Sequence, residues 1–279
     1  MLLRSQPEIA TSESPSAYDP PASPVSWVQR VVLVAGAGLA YVGGRFIGDA
    51  WRNAVRDWFH HPAFRGSWVT VEHVLLYTTV SALLCWAAWW GFSRIGWMPA
   101  PGSVFRGPAR KVVAWGILLG VAVFLVDLVA LLALHAVGAM PGPPLAWHPM
   151  TGWSFLGNLF SNFYEEWIFR GFLFVVAIQV TSSRVAAAIV TSALFAAVHT
   201  QYPWALRVLI FVSTLAACWV LLKLRSLWPA WIAHQVVDVL GDSVFFGSAR
   251  GFLVRGSALT ARRRARRAAA PAAAGPGPG

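Results

Sequence analysis

The 279-residue chain is 57% hydrophobic and only 12% charged, with 16 Trp and 17 Phe. A soluble domain carries about twice this share of charged residues, so the composition excludes an ordinary soluble protein and indicates a membrane domain of several helices. The net charge of +11 does not indicate a nucleic-acid partner, because the basic residues concentrate in a C-terminal tail and beside apolar runs, as at lipid headgroups.

Composition divides the chain into three regions. Residues 1–26 are rich in Pro, Ser and acidic residues and have no apolar core, which predicts a disordered segment and not a signal peptide. Residues 27–250 predict an integral membrane domain, whose polar motifs lie within 155–247. Residues 251–279, first basic and then rich in Ala, Gly and Pro, predict a disordered tail. The only two cysteines lie in separate apolar runs, which excludes a disulfide framework.

The apolar runs predict an all-α bundle of about seven to eight transmembrane helices. They lie near residues 27–46, 70–92, 112–138, 155–180, 185–200, 204–222 and 228–247. Residues 45–59 mix Arg, Asp and Trp at helical spacing and predict an interfacial amphipathic helix, with a solvated loop as the alternative. Basic residues around Arg110, Arg184 and Lys223 occupy alternate loops, which predicts that these loops are cytoplasmic.

The first polar motif, Glu165-Glu166-Trp167-Ile168-Phe169-Arg170, interrupts an apolar run. Ionisable groups at bilayer depth are costly and usually serve a function. Glu166 and Arg170 are i, i+4 neighbours on a helix and are expected to pair. Glu165 points about 100° away and needs a different partner. This division is typical of one structural and one catalytic carboxylate, and a purely structural ion network is the alternative.

Two further motifs follow on later helices. Phe195-Ala-Ala-Val-His199 ends the fifth run, and the rise of about 1.5 Å per residue places His199 at nearly the same depth as Glu165, so the two can meet. His234-Gln-Val-Val-Asp238 puts two polar groups on one helix face. Each motif alone has a structural explanation, a packing hydrogen bond. Their joint occurrence favours one shared hydrated site.

These three motifs, in this order on successive membrane helices, resemble the CAAX prenyl protease and bacteriocin-processing family. Its members are glutamate-dependent intramembrane endopeptidases of the ABI type. The resemblance covers roughly residues 112–247, and it includes the segment Leu227-Trp-Pro-Ala-Trp-Ile-Ala-His234 before the third motif. It implies hydrolysis of a membrane-embedded or lipidated peptide tail, with no resident cofactor, by an integral protein of a bacterial plasma (inner) membrane.

The resemblance also implies roles for individual residues. Glu165 would be the base, and His199 would help to orient or deprotonate the water. His234 and Asp238 would stabilise the oxyanion, although many relatives have Asn at the latter position. An ionised Asp238 cannot donate a hydrogen bond, so it would be protonated or would orient His234. Glu166 and Arg170 would support the helix that presents Glu165.

Two alternatives remain open from the sequence. Glu165, His199 and His234 match the ligand types of a hydrolytic zinc site, which would make the protein a metalloprotease-like enzyme. A non-catalytic immunity or scaffold protein could keep the same polar cluster for partner binding. Other intramembrane protease designs fit poorly, because the sequence contains neither His-Glu-x-x-His nor Gly-x-Gly-Asp nor Gly-x-Ser-x-Gly.

Overall fold

The regular structure of the chain is helical throughout the part that the computed structural model describes. The described residues are 16–59, 79–138, 150, 152–200, 202–241 and 243. The predicted all-α class is therefore confirmed for these ranges. The predicted C-terminal tail, 251–279, and most of the predicted N-terminal segment lie outside them.

Eight helices follow one another in the described ranges. They are α1 (Trp27–Phe59), α2 (Thr79–Arg94), α3 (Ala109–Ala136), α4 (Gly152–Glu166), α5 (Phe174–Thr181), α6 (Arg184–Val198), α7 (Trp204–Leu224) and α8 (residues 228–241). A 3-10 turn, Pro101–Phe105, precedes α3. A π-helical segment, Trp167–Leu173, joins α4 to α5 without a break.

Three of these helices are long and apolar enough to cross a membrane, namely Trp27–Trp51 within α1, α3 and α7. Helix α6 is a shorter apolar helix. The protein is thus an integral membrane protein by the length and composition of its helices. The count of seven to eight spans stays a prediction, and part of the predicted second span, residues 70–78, lies outside the described residues.

Residues 45–59 are helical, as predicted, and the alternative of a solvated loop is wrong. Helix α1 continues unbroken from Trp27 to Phe59, so these residues extend the first helix, and their interfacial position stays a prediction. Nothing in this stretch breaks a helix, since it contains no Pro.

The N-terminal residues also differ from the predicted disordered segment at its end. Tyr18 is buried, its ring packs against Phe174, and its carbonyl oxygen accepts a hydrogen bond from Arg184 Nε at 2.9 Å. Asp19 forms an ion pair with Arg184 and lies 3.8 Å from Arg225 Nη2. Both arginines therefore lie at the same end of the bundle. This agrees with the prediction that their loops face the same side of the membrane.

Helices α3 and α8 pack closely because α3 presents glycines to its neighbour. A Cβ atom built on Gly120 would lie 2.7 Å from Val236 Cβ and 2.9 Å from the Ala233 carbonyl oxygen. A Cβ atom on Gly116 would lie 2.7 Å from Ile232 Cβ. Small residues allow this close backbone approach in membrane helix pairs. The contact fixes the helix that carries His234.

We expect Gly120→Val to destabilise the protein by about 1–3 kcal/mol, because the added methyl groups overlap backbone as well as side-chain atoms of α8. Thermal unfolding of the detergent-solubilised protein measures the effect. Gly91→Val is the matched control, because nothing lies within 4 Å of a Cβ at Gly91 in α2. Equal losses of stability in the two variants would contradict the packing argument.

The 3-10 turn links the π-helical segment to the start of α8 through Phe105 and its backbone. Phe105 stacks on Trp167 with ring centroids 5.5 Å apart, and its carbonyl oxygen accepts a hydrogen bond from Trp228 Nε1 at 3.1 Å. The Leu227 amide donates to the Val104 carbonyl oxygen at 2.8 Å. The turn thereby holds two polar motifs, far apart in the sequence, at a fixed separation.

Candidate active site

The two adjacent glutamates that end α4 lie in different environments. The side chain of Glu166 is only 2% exposed, whereas that of Glu165 is 30% exposed. The turn of about 100° between consecutive residues of a helix sends one inward and leaves the other facing accessible space. Only Glu165 is therefore open to a substrate or a water molecule.

Glu166 is the centre of a buried charge network. Its Oε1 accepts hydrogen bonds from Arg170 Nη1 at 2.8 Å and from His234 Nδ1 at 2.9 Å. The Arg170 guanidinium also lies 3.8 Å from the centre of the Phe195 ring, a cation–π contact. The predicted pairing of Glu166 with Arg170 is confirmed. The contact with His234 gives Glu166 a second task, since it also orients that imidazole ring.

His199 meets Glu165, as their predicted depths indicated. His199 follows the last residue of α6, and its Nε2 lies 3.9 Å from Glu165 Oε2. On the other side of the ring, Nδ1 lies 2.7 Å from the Phe195 carbonyl oxygen. A carbonyl oxygen can only accept, so Nδ1 carries a proton and donates it. In the neutral ring, Nε2 therefore presents a lone pair towards Glu165.

Asp238 does not form the direct hydrogen bond that would orient His234. Asp238 Oδ2 lies 3.9 Å from His234 Nε2, which is beyond hydrogen-bond distance. The opposite ring nitrogen, Nδ1, is bound to Glu166 instead. Asp238 is one turn further along α8 and one-third exposed, at 34%. Of the two carboxylates near His234, Glu166 is thus the one that fixes the ring.

Two residues that the sequence did not single out also join the site. Asn162 is buried one turn before Glu166, and its Nδ2 donates to Gln235 Oε1 at 3.2 Å. Gln235 follows His234 directly and contributes a buried Nε2 without a hydrogen-bond partner among the described residues. The signal was the i−4 spacing of Asn162 from Glu166, which places both on one helix face.

Phe195 organises the site although it carries no ionisable group. Its ring lies 4.5 Å from the His199 ring and 6.0 Å from the His234 ring, centroid to centroid. Together with the Arg170 contact, these distances show that Phe195 packs against both histidine rings and the guanidinium. The Phe-x-x-x-His motif therefore works as one unit, because the phenyl ring packs against both imidazoles and the Phe195 carbonyl oxygen fixes that of His199.

The π-helical segment begins directly after the two glutamates. A π-helix has i→i+5 hydrogen bonds, and such segments inside α-helices are often found at functional sites. Residues Trp167–Phe172 are all buried. The wider turn changes the direction in which every later residue of the helix points. The i, i+4 spacing therefore predicted the inward direction of Arg170, but α-helical spacing does not predict which residues after it are buried.

The zinc alternative requires Glu165, His199 and His234 to gather around one ion. Among the residues that the structure describes, no three His, Cys, Asp or Glu side chains are grouped to hold one metal ion. The ligand set of Glu165, His199 and His234 therefore receives no support from this geometry.

The protein is an integral membrane protein with an internal polar site. Its apolar helices are long enough to cross a membrane, and the site combines carboxylate, imidazole and guanidinium groups. The family of type II CAAX prenyl endopeptidases, Rce1-like, matches residues 147–240. This region is about a third of the chain and contains all three motifs. The match agrees with the family resemblance predicted from those motifs. No curated protein and no solved structure matches the chain.

Proposed function

We propose that the protein is a CAAX-type intramembrane endopeptidase that hydrolyses a peptide bond in a membrane-associated or lipidated peptide tail. The observation that carries the proposal is the pairing of an accessible carboxylate, Glu165, with an accessible imidazole, His199, beside a buried Glu166 network. Two hydrogen-bond acceptors with no hydrogen bond to each other are arranged to hold a third molecule between them. The family match supports the reaction class.

Water activation follows from the separation of these two groups. The distance of 3.9 Å between Glu165 Oε2 and His199 Nε2 is too long for a hydrogen bond, but one water beside them can donate a proton to each. Both of its hydrogens are then engaged, and an oxygen lone pair points at the substrate carbonyl. As the C–O bond forms, the water proton passes to Glu165.

Collapse of the tetrahedral intermediate completes the reaction. The C–N bond breaks, and the leaving amine takes the proton held by Glu165, so the carboxylate is regenerated. A doubly protonated His234 donates through Nε2 to the oxyanion, while Nδ1–H stays on Glu166. Arg170 balances the charge of Glu166 and fixes its position.

Loss of His199 tests the proposal directly. We expect His199→Ala to lower kcat by about 10²–10⁴-fold with little change in KM, because the water loses one of its two acceptors. Mass spectrometry of a lipidated peptide, incubated with the protein in lipid nanodiscs, measures cleavage. His135→Ala, at the end of α3 and outside the site, is the matched control. If neither the wild-type protein nor any variant cleaves the peptide, and His199→Ala instead weakens the binding of a partner, the non-catalytic alternative is correct.

We also expect cleavage to survive exhaustive chelation, because no three described side chains form a metal-binding group. Activity is measured after dialysis against a strong chelator, with the metal content followed by mass spectrometry. Addition of zinc to the dialysed protein should not increase the rate. Loss of activity that zinc restores would replace the metal-independent mechanism with a zinc-dependent one.

A further inference from the structure

A lysine in the last turn of α7 is held against two tryptophan rings from different helices. The Lys223 ammonium lies 4.3 Å from the centre of the Trp115 ring of α3 and 4.8 Å from that of the Trp219 ring of α7. The two rings meet edge to face, with centroids 5.8 Å apart and planes at 72°. Both rings attract the cation. These contacts fix a flexible side chain between α3 and α7.

The charge of Lys223 is not balanced by a carboxylate within the described ranges. Its side chain is exposed, and no ion pair joins it to an acidic residue there. The sequence contains no Asp or Glu in residues 73–126 or 167–237, so α7 carries no acid and α3 carries none near its start. By contrast, Arg225 lies 3.8 Å from Asp19. The indole rings are neutral, so the positive charge of Lys223 stays available to an anion.

A second lysine lies at the same end of the bundle. Lys111 precedes Trp115 by one helical turn, so both are on one face of α3, and its side chain is exposed. The Leu227 amide donates to the Val104 carbonyl oxygen at 2.8 Å, which places the turn before α3 beside the residues that follow α7. The start of α3 also carries the positive end of its helix dipole. This end of the α3–α7 pair is therefore basic.

The basic end continues into an apolar surface on the same two helices. We call the surface formed by Lys111, Trp115, Trp219 and Lys223 the Lys–Trp patch. Leu118, one turn beyond Trp115, is 60% exposed, and Val212, on the same face of α7 as Trp219, is 53% exposed. Both helices are long and apolar enough to cross a membrane, so these side chains face lipid tails. A ligand of the whole surface must combine an anionic group with apolar chains.

We propose that the Lys–Trp patch binds the headgroup of an anionic phospholipid. The phosphate contacts the two lysines, and the acyl chains follow the apolar surface beside them. Basic pockets between membrane helices bind anionic headgroups in this way. Because the two rings already order Lys223, a phosphate binds without the full cost of immobilising that side chain. Binding at the patch does not depend on the proposed function.

The test compares phosphatidylglycerol with phosphatidylcholine of the same acyl chains. Native mass spectrometry of the full chain in detergent measures the dissociation constant of the first bound lipid. We expect phosphatidylglycerol to bind about tenfold or more tightly, because phosphatidylcholine neutralises its own phosphate and each lysine near an anionic headgroup contributes about fivefold. In Lys223→Met the preference should fall about fivefold. The side chain of Lys223 is exposed, so this variant should fold like the wild type.

Arg94→Met is the matched control for this variant. Arg94 is an exposed cation in the last turn of α2, and its guanidinium lies 5.4 Å from the centre of the Trp90 ring. The change removes the same charge from the surface, but from a contact with a single ring and outside the Lys–Trp patch. The preference for phosphatidylglycerol should therefore stay at the wild-type value.

Equal binding of the two lipids to the wild-type protein overturns the proposal, and this comparison needs no variant. A preference that persists unchanged in Lys223→Met also overturns it. Equal reductions in the Lys223 and Arg94 variants do the same, because general attraction to a basic surface then explains the preference. Soluble glycerol phosphate should leave the phosphatidylglycerol complex intact. Its displacement of the lipid at equal concentration would assign the patch to a free phosphate anion and overturn the lipid assignment.

Discussion

Glu165→Gln is expected to lower kcat for peptide cleavage by about 10²–10⁴-fold and to leave the fold intact. The amide is nearly the same size as the carboxylate, but it cannot take a proton from water. Because Glu165 is 30% exposed and has no hydrogen bond to its neighbour His199, the free energy of unfolding should change by no more than about 0.5 kcal/mol. Single-turnover cleavage of a lipidated peptide and thermal unfolding measure the two effects.

The neighbouring residue provides the control for this prediction. Glu166→Gln makes the same chemical change one position later, where the side chain is buried and binds both Arg170 and His234. There we expect a clear loss of stability, because Arg170 loses its counter-ion. Full activity in Glu165→Gln would refute the assignment of the base. Identical stability of the two variants would refute the division between an accessible and a buried glutamate.

Arg170→Met is expected to destabilise the protein by about 3–5 kcal/mol, a larger loss than we expect from Gly120→Val in the α3–α8 contact. The change leaves the carboxylate of Glu166 buried without its cationic partner, and an unpaired buried charge is strongly unfavourable. It also removes the cation from the Phe195 ring. Unfolding of the detergent-solubilised variant, followed by temperature or denaturant, measures the loss.

Arg184→Met is the matched control for this second prediction. Arg184 also pairs with a carboxylate, that of Asp19, but its side chain is 44% exposed. Solvent-exposed ion pairs contribute about 0–1 kcal/mol, so this variant should be much closer to the wild type. Replacing both partners, in Glu166→Gln combined with Arg170→Met, should restore part of the lost stability. Equal losses in the Arg170 and Arg184 variants would contradict the buried-pair argument.

Local spacing was enough to predict several contacts of the site. The pairing of Glu166 with Arg170 follows from i, i+4 geometry, and the meeting of Glu165 with His199 follows from counting residues from the ends of two apolar runs that face the same side. In the first case one helix fixes the distance between the two side chains, and in the second the helical rise fixes the depth of each residue. The sequence therefore identified these residues, although it could not separate a catalytic role from a structural one.

Contacts that depend on how helices turn relative to one another were not predictable in this way. Asp238 lies on the same helix face as His234, yet the ring is oriented by Glu166, which is distant in the sequence. The pairing of Asn162 with Gln235 has the same origin. Each requires α4 and α8 to pack at one particular rotation, and the glycines of α3 and the aromatic contacts of Phe105 fix that rotation.

The sequence by itself determined that the chain is a helical membrane protein and which polar residues are unusual at membrane depth, because composition and helical periodicity are local properties. Only the tertiary structure decided that Glu165 is accessible while Glu166 is buried, and that His234 binds Glu166. It also brought Tyr18 into the core and placed Lys223 against tryptophan rings of two helices. These outcomes depend on the packing of several helices at once, which the pattern along any one helix does not specify.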